Sequence, residues 1–212
     1  MRIALIHIQT ISAAPIVAAF ADQWPGADIF NILDEALFTA PVKGDAYVQE
    51  RFIALARYAA DTPVDAILFT CSAFGTAIEA AGSAVSPIPV LKPNEAMIEA
   101  AVAAGGRIGL LATFGPTLGT MPREFPPGTL SAKALAEGAF AALNARDHAL
   151  HQQLIVETAL RDLAGCDVIA LAQSSMAPAA PAVAAGKLVL TAPATAVAKL
   201  RRLLEPGPAS VA

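Results

Sequence analysis

The chain predicts an α/β fold written twice, and three observations predict it. Short apolar runs ending in polar turns alternate with helical patterns along the whole sequence, the signature of parallel sheets with helices on both faces. The segment Val64-Asp65-Ala66-Ile67-Leu68-Phe69-Thr70-Cys71-Ser72-Ala73-Phe74 returns in pattern as Cys166-Asp167-Val168-Ile169-Ala170-Leu171-Ala172-Gln173-Ser174-Ser175-Met176. Each is an Asp, a short apolar run, a polar pair, a small residue and a large apolar one. Two more pairs keep the same order at nearly constant offset: Arg2-Ile3-Ala4-Leu5-Ile6-His7 with Arg107-Ile108-Gly109-Leu110-Leu111-Ala112, and Pro89-Val90-Leu91-Lys92-Pro93 with Leu188-Val189-Leu190-Thr191-Ala192-Pro193. Buried parallel strands resemble one another in any such protein, but three ordered matches point to an internal duplication. Within it Cys71 stands opposite Gln173, a thiol against an amide.

Element by element, the apolar runs place strands at 2–8, 28–32, 65–70, 88–91, 107–112, 128–131, 167–172 and 188–191. Helical spacing fills the intervals near 13–22, 45–60, 74–82, 94–104, 115–123, 132–138, 147–164 and 177–184. Asp45 to Tyr58 carries its apolar residues on one helical face, and His148 to Leu163 repeats that picture. A last helix, Thr195 to Leu204, follows the second half's final strand as Asn94 to Ala104 follows the first half's. Glu205 to Ala212, rich in Pro, Gly and small residues, reads as a frayed tail.

Composition narrows the function class. The 212 residues suffice for one large or two small domains. Much of the 56% hydrophobic content is alanine, and its apolar stretches are broken by Pro, Gly or charge well short of a spanning helix. Met1 to Ile6 is too short before His7 and Gln9 to be a signal sequence, so the expected location is the cytoplasm. Two cysteines form neither a disulfide framework nor a zinc cluster. A net charge of −4 with scattered basic residues argues against nucleic acid and anionic membranes as partners. A homo-oligomer is compatible with all of this.

In parallel sheets, function gathers at the carboxyl ends of strands, where loops lead into helix N-termini. Cys71 follows the strand Ile67-Leu68-Phe69-Thr70, and Ser72-Ala73-Phe74-Gly75 opens the turn beyond it. A thiol before a helix faces unpaired N–H groups and the positive dipole end, which favour thiolate, and the same donors suit a carboxylate or a developing enolate. A buried cysteine acting as a small hydrophobe is the plain alternative. Cys166 sits before its strand, at the other end of the sheet, and is expected to be inert. His7, Gln9, Thr10 and Ser12 follow the first strand, Thr113, Phe114 and Thr117 follow its counterpart, and Lys92 and Glu95 follow the fourth. His7 is either a general acid, or partner that ionises Cys71, or a strand-end histidine satisfied by backbone. Thr113 and Thr117 have capping as their plain reading. His148 and His151 are spaced i, i+3 without a third ligand, so no metal site is expected. Gln9-Thr10-Ile11-Ser12-Ala13-Ala14 lacks the glycines of a dinucleotide fingerprint.

With Arg2 to Thr10, Phe69-Thr70-Cys71-Ser72, Pro89-Val90-Leu91, Arg107 to Thr113 and Asp167 to Met176 in this order, nearly the whole chain resembles the aspartate/glutamate/hydantoin racemase superfamily. The resemblance implies two pseudo-symmetric α/β lobes, each a mainly parallel four-stranded sheet flanked by helices, with the active site in the cleft between them. Residues 1–95 plus 194–212 would form the first lobe and 96–193 the second, the final helix crossing back to the first. It further implies a cysteine after each central strand, one thiolate taking the α-proton of a small carboxylate and the other thiol returning one. Cys71 keeps the first position. Gln173 occupies the second, with Ser174 and Ser175 beside it, and an alcohol is a far weaker acid and base than a thiol near neutral pH. The chain therefore departs from the two-thiol pattern of ordinary two-base racemisation at this position.

The superfamily also resembles maleate-type cis-trans isomerases and arylmalonate decarboxylases, and a one-cysteine chain suits both. The expectation is a cofactor-independent racemase or isomerase working through Cys71 and an enolate-like intermediate, with no nucleotide, pyridoxal phosphate or metal. The alternatives are a decarboxylase of malonate-type acids and a non-catalytic binder of a small acid. Catalytic candidates are Cys71, Gln173 and His7. Candidates for contacting substrate are Gln9, Thr10, Ser72, Ala73, Lys92, Thr113, Phe114, Thr117, Ser174 and Ser175.

Overall fold

The computed structural model describes residues 1–38, 40–71 and 74–205. Among the described residues the strands are β1 (Arg2–His7), β2 (Asp28–Leu33), β3 (Ala66–Phe69), β4 (Val90–Leu91), β5 (Ile108–Ala112), β6 (Leu130–Leu135), β7 (Val168–Leu171) and β8 (Leu188–Thr191). They form two four-stranded sheets ordered β2-β1-β3-β4 and β6-β5-β7-β8, with every recorded pairing parallel. Helices α1 (Ala13–Gln23), α2 (Asp45–Ala60), α3 (Gly75–Ala84), α4 (Pro93–Ala104), α5 (Gly115–Thr120), α6 (Ala139–Asn144), α7 (His148–Asp162), α8 (Ala180–Val183) and α9 (Ala192–Leu204) connect and flank them. None of the described helices is long and apolar enough to cross a membrane. The chain divides into two compact units, Met1–Pro93 joined by the chain from Ala196 onward, and Asn94–Thr195.

The period of two along each central strand builds the cores. In the first unit Ala4 and Ile6 of β1 face Phe52 and Ala56 of α2 and Ile78 of α3, while Ile3 and Leu5 face Ile16 and Phe20 of α1 and Val197 and Leu200 of α9. The Phe52 ring stacks on Phe69 of β3 with centroids 5.1 Å apart. In the second unit Ile169 and Leu171 of β7 face Ile155 and Ala159 of α7, and Val168 and Ala170 face Met97 and Ala101 of α4. The strands read as continuous apolar runs because both faces are covered.

The duplication is visible in register. Ile3 pairs with Ala66 as Ile108 pairs with Val168. At the amino ends, Asp65 accepts the Arg2 backbone N–H at 2.6 Å, and Asp167 accepts that of Arg107 at 2.8 Å. At the carboxyl ends, the Thr70 N–H donates to Ile6 O and the Ala172 N–H to Leu111 O. These pairs make Thr70 the counterpart of Ala172, Cys71 of Gln173, His7 of Ala112 and Ser12 of Thr117. The Asp of each repeat therefore has a physical function: it anchors the start of the central strand pair.

One expected helix is a strand. Residues 132–138 read as helical because Ala132, Ala134 and Ala136 with Lys133 and Glu137 have high helix propensity. The structure instead extends the expected 128–131 strand into β6, Leu130–Leu135, an edge strand whose exposure alternates until Ala134, and the helix follows as α6. Pairing with β5 over five positions outweighs the propensity of alanine. The expected 115–123 and 177–184 helices are each part α and part 3-10.

Two glycines are required by close approach. Gly106 has φ +75°, and a Cβ there would lie 2.9 Å from Asp167 Oδ2, the atom holding Arg107. Gly109, inside β5, would place a Cβ 2.9 Å from Cys166 Sγ and 3.1 Å from Leu163. Cys166 is buried in this contact, far along the strand from Gln173. Gly109→Ala is expected to destabilise the protein by about 1–3 kcal/mol through overpacking, and adding Cys166→Ala to recover part of that loss. Urea unfolding midpoints of both variants check it, and an unshifted Gly109→Ala midpoint would show that the close approach is not limiting.

Candidate functional site

Strand order fixes where a site can form. From β1 the chain moves outward to β2, then returns across β1 to β3 and β4, so the loops after β1 and β3 leave in opposite directions. That divergence opens a crevice at the carboxyl ends of the two strands. The second unit repeats it after β5 and β7.

In the first unit a polar chain, buried except at Asn31, lies at these strand ends. His7 lies opposite Thr70 in the continued β1–β3 register, and Asn31 of β2, paired with Leu5, is on the same face of the sheet. His7 Nδ1 is 2.8 Å from Thr70 Oγ1 and Nε2 is 2.8 Å from Asn31 Oδ1. Thr70 Oγ1 is 2.9 Å from Ser12 Oγ, which donates to Gln9 O at 2.8 Å. His7 is 1% exposed, Thr70 7% and Ser12 9%. Groups so deep cost about 1–3 kcal/mol each when unpaired, and every one of these is paired. Burial holds the His7 imidazole below its ordinary titration range, opposed by the contact with Asn31. His7 thus lies beneath the crevice, with both ring nitrogens engaged by side chains.

Thr70 and Ser12 tie the loop after β1 to the end of β3, and this tie passes through residue 70. Cys71, the next residue, is half-buried and packs against the core that includes Phe52, Phe69 and Ile78. Helix α3 begins four residues later at Gly75, with Phe74 at its cap position. The Phe74 ring packs on Phe52 with centroids 5.2 Å apart. Ser72 and Ala73, both expected near substrate, lie outside the described residues.

The second unit makes the same tie differently. Ala112 and Ala172 replace His7 and Thr70, and the β6 residue paired with Leu110 is Lys133 where β2 has Asn31. Gln173 itself joins the two loops. Its Oε1 accepts the Thr113 backbone N–H at 2.9 Å and the Thr113 hydroxyl at 3.3 Å, and its Nε2 donates to Thr117 Oγ1 at 2.8 Å. Thr113 and Thr117 therefore hold an amide rather than cap a helix; neither α5 nor its neighbouring 3-10 turn has a side-chain cap. Phe114 is 43% exposed and its ring packs on Phe140 at 4.9 Å. Ser174 and Ser175 begin the 3-10 turn after Gln173, and Ser175 O lies 3.3 Å from Nε2 of buried His151, whose Nδ1 is 2.8 Å from Ala139 O.

The remaining sequence candidates are placed as follows. Gln9 and Thr10 are exposed beyond β1, and the Thr10 hydroxyl donates to Glu35 at 3.3 Å. Lys92 pairs with Glu79 of α3 at 2.7 Å. Sequence reasoning missed Asn31, although its signal was available: it is the one polar residue inside the apolar run Ile29-Phe30-Asn31-Ile32-Leu33.

The comparisons agree with this architecture. The family model described as Asp/Glu/hydantoin racemase matches residues 34–200. No curated protein matches the sequence. Among solved structures, allantoin racemase from Klebsiella pneumoniae is similar with TM-score 0.75 and 19% identity, over 98% of this chain and 89% of that one. A glutamate racemase isoform from Bacillus anthracis is similar with TM-score 0.71 and 16% identity, over 96% and 81%. A single-substitution variant of arylmalonate decarboxylase is similar with TM-score 0.72 and 18% identity, over 98% and 95%. At such identities the likeness is one of fold.

The buried imidazole sets a pH dependence of stability. The unfolded chain takes up a proton on His7 as pH falls through about 6.5, whereas the folded protein resists it because burial lowers the folded value. His7 therefore destabilises the fold increasingly below about pH 6.5, until its folded value is passed, and has no such effect above it. Urea unfolding from pH 8 to pH 5 is expected to show this loss, and His7→Gln to flatten it relative to the parent. Parallel curves for the two proteins would remove His7 as the cause.

Proposed function

This chain belongs to the Asp/Glu/hydantoin racemase family, and on that premise we propose that it is a cofactor-independent enzyme of racemase or isomerase type acting on a small carboxylate. Cys71 is the proton carrier: as thiolate it removes an α-hydrogen, the electron pair moves into an enolate-like intermediate, and the thiol returns a proton. The observation that carries this reading is the unequal way the two crevices are tied. In the first unit the tie runs through Thr70, and the thiol is the neighbouring residue at the strand end. In the second unit the tie consumes Gln173, whose carboxamide neither gives nor takes a proton near neutral pH. Proton handling is therefore assigned to one thiol, and Gln173, Thr113 and Thr117 to neutral hydrogen bonding.

The same inequality favours a second reading, decarboxylation of malonate-type acids. There carbon dioxide leaves, its bonding pair forms the enediolate, and one thiol protonates it; no second acid–base group is needed. A non-catalytic binder of a small acid is the third reading, distinguished by an absence of turnover.

Two experiments separate these. Amino acids and 2-substituted malonates are incubated in deuterated water, with α-hydrogen exchange followed by NMR and carbon dioxide release by a coupled assay. Exchange that is fast for one enantiomer and slow for the other is expected for a racemase-type catalyst with one thiol, and carbon dioxide release for the lyase. Cys71→Ala is expected to reduce either activity by about 10²–10⁴-fold, and Cys166→Ala to leave it nearly intact. Undiminished turnover in Cys71→Ala rejects the assignment.

Gln173→Cys is the complementary variant. It restores a thiol at the duplicated position and is expected to create or raise exchange of the slower enantiomer. The gain will be limited because the thiol cannot replace the amide's bonds to Thr113 and Thr117, and errors of about 1 Å cost roughly 10²-fold. A folded variant whose new thiol alkylates readily but exchanges nothing further counts against position 173 as the vacated partner.

A further inference from the structure

The chain of contacts around His7 can be resolved hydrogen by hydrogen. Gln9 O only accepts, so the Ser12 hydroxyl spends its hydrogen there, at 2.8 Å. The 2.9 Å contact between Ser12 and Thr70 then needs the hydrogen of Thr70. With that hydrogen spent, the 2.8 Å contact between Thr70 and His7 needs a hydrogen on Nδ1. A neutral ring with Nδ1–H has a bare Nε2, which must accept. The group 2.8 Å from Nε2 is the end of the Asn31 carboxamide, set there as Oδ1. Its oxygen and nitrogen ends have the same shape, and only the nitrogen end donates. The alternative in which Thr70 donates to Ile6 O at 3.4 Å leaves the much shorter Ser12–Thr70 contact without a hydrogen.

We infer that Asn31 is a positioning residue that donates to His7 Nε2, fixes the ring as its neutral Nδ1–H tautomer, and so directs a one-way hydrogen-bond chain from Asn31 through His7, Thr70 and Ser12 to the Gln9 carbonyl. The chain locks the turn after β1 onto the residue preceding Cys71. It also removes His7 as a base acting through Thr70, since Nδ1 already carries a hydrogen. The only way to keep Oδ1 facing the ring with every contact satisfied is an imidazolium, and burial without an acidic partner among the causes acting on His7 disfavours that charge. The second unit supports the assignment by contrast: with Ala112 and Ala172 in place of His7 and Thr70, no such chain is present among its described residues, and Gln173 makes the tie directly. The tautomer assignment stands independently of the proposed activity; only its effect on Cys71 rests on that reading.

The test begins with the parent protein. In uniformly nitrogen-15-labelled protein at pH 7.5, a scalar coupling across the hydrogen bond between Asn31 Nδ2 and His7 Nε2 is expected, with His7 showing the Nδ1–H pattern in long-range proton–nitrogen correlation. His7→Gln identifies the signals. No coupling, an Nε2–H pattern or a doubly protonated ring would overturn the inference. Asn31→Asp supplies a pure acceptor and is expected to place a hydrogen on Nε2; an unchanged tautomer overturns the role of Asn31. If that variant does not fold, the coupling in the parent decides alone. For the positioning of Cys71, the pH profile of its alkylation by iodoacetamide is expected to shift in Asn31→Asp and in Thr70→Val. An unmoved profile in both folded variants overturns the positioning role and leaves the tautomer result standing, whereas a shifted profile without catalytic turnover counts against the proposed activity alone.

Discussion

Each half of this protein depends on how the loop after its first strand is fastened to the end of its third. The two loops leave a parallel sheet in opposite directions, so nothing in the backbone ladder holds them together. Side chains must do it, in a place where an unpaired polar atom is costly. The first unit uses the hydroxyls of Ser12 and Thr70 backed by His7 and Asn31, and the second uses the Gln173 amide gripped by Thr113 and Thr117. The residues that make the tie are committed to structure, Thr70 and Ser12 in one half and Gln173 in the other.

The duplicated halves preserve what the sheet needs and vary what the tie allows. Asp65 and Asp167 accept the same backbone hydrogen at the start of the central pair, and the strand registers coincide. Divergence is concentrated at the opposite end of the same strands. A thiol in one half where the other has an amide is then one part of a wider exchange, in which His7, Thr70, Asn31 and Ser12 of the first half correspond to Ala112, Ala172, Lys133 and Thr117 of the second.

The fold was legible because buried parallel strands leave an apolar run with a polar stop, and because the repeat could be read twice. Each strand among the described residues overlaps one of those runs, β6 only at its first two residues, and the long helices α2 and α7 match their periodicity. The helix expected at 132–138 failed because alanine and lysine favour helix locally while β5 offered a strand partner that no local window contains. At the site, Gln173, Thr113 and Thr117 were named as candidates, but their mutual bonds were not foreseeable, since they join residues 56 and 60 apart. Asn31 was overlooked because a single polar residue on an edge strand is ordinarily explained by solvent alone; Asn31 is indeed exposed, and only the β1–β2 register puts it on the face of His7 as well. His7 was seen, but the sequence left open a catalytic role or satisfaction by backbone, and its partners are side chains distant in sequence.

Helix α9 has a consequence for how the chain is made. Ala196, Val197 and Leu200 supply part of the apolar cover for Ile3, Leu5 and Leu68, so the first sheet, although translated first, keeps one face incompletely covered until the last helix is synthesised. The second unit is contiguous from Asn94 to Thr195 and can close before that helix has left the ribosome. Order of synthesis and order of completion are thus reversed. A nascent chain stalled before residue 196 would hold a finished second half and a first half with a sticky apolar face, the kind of intermediate that chaperones recognise.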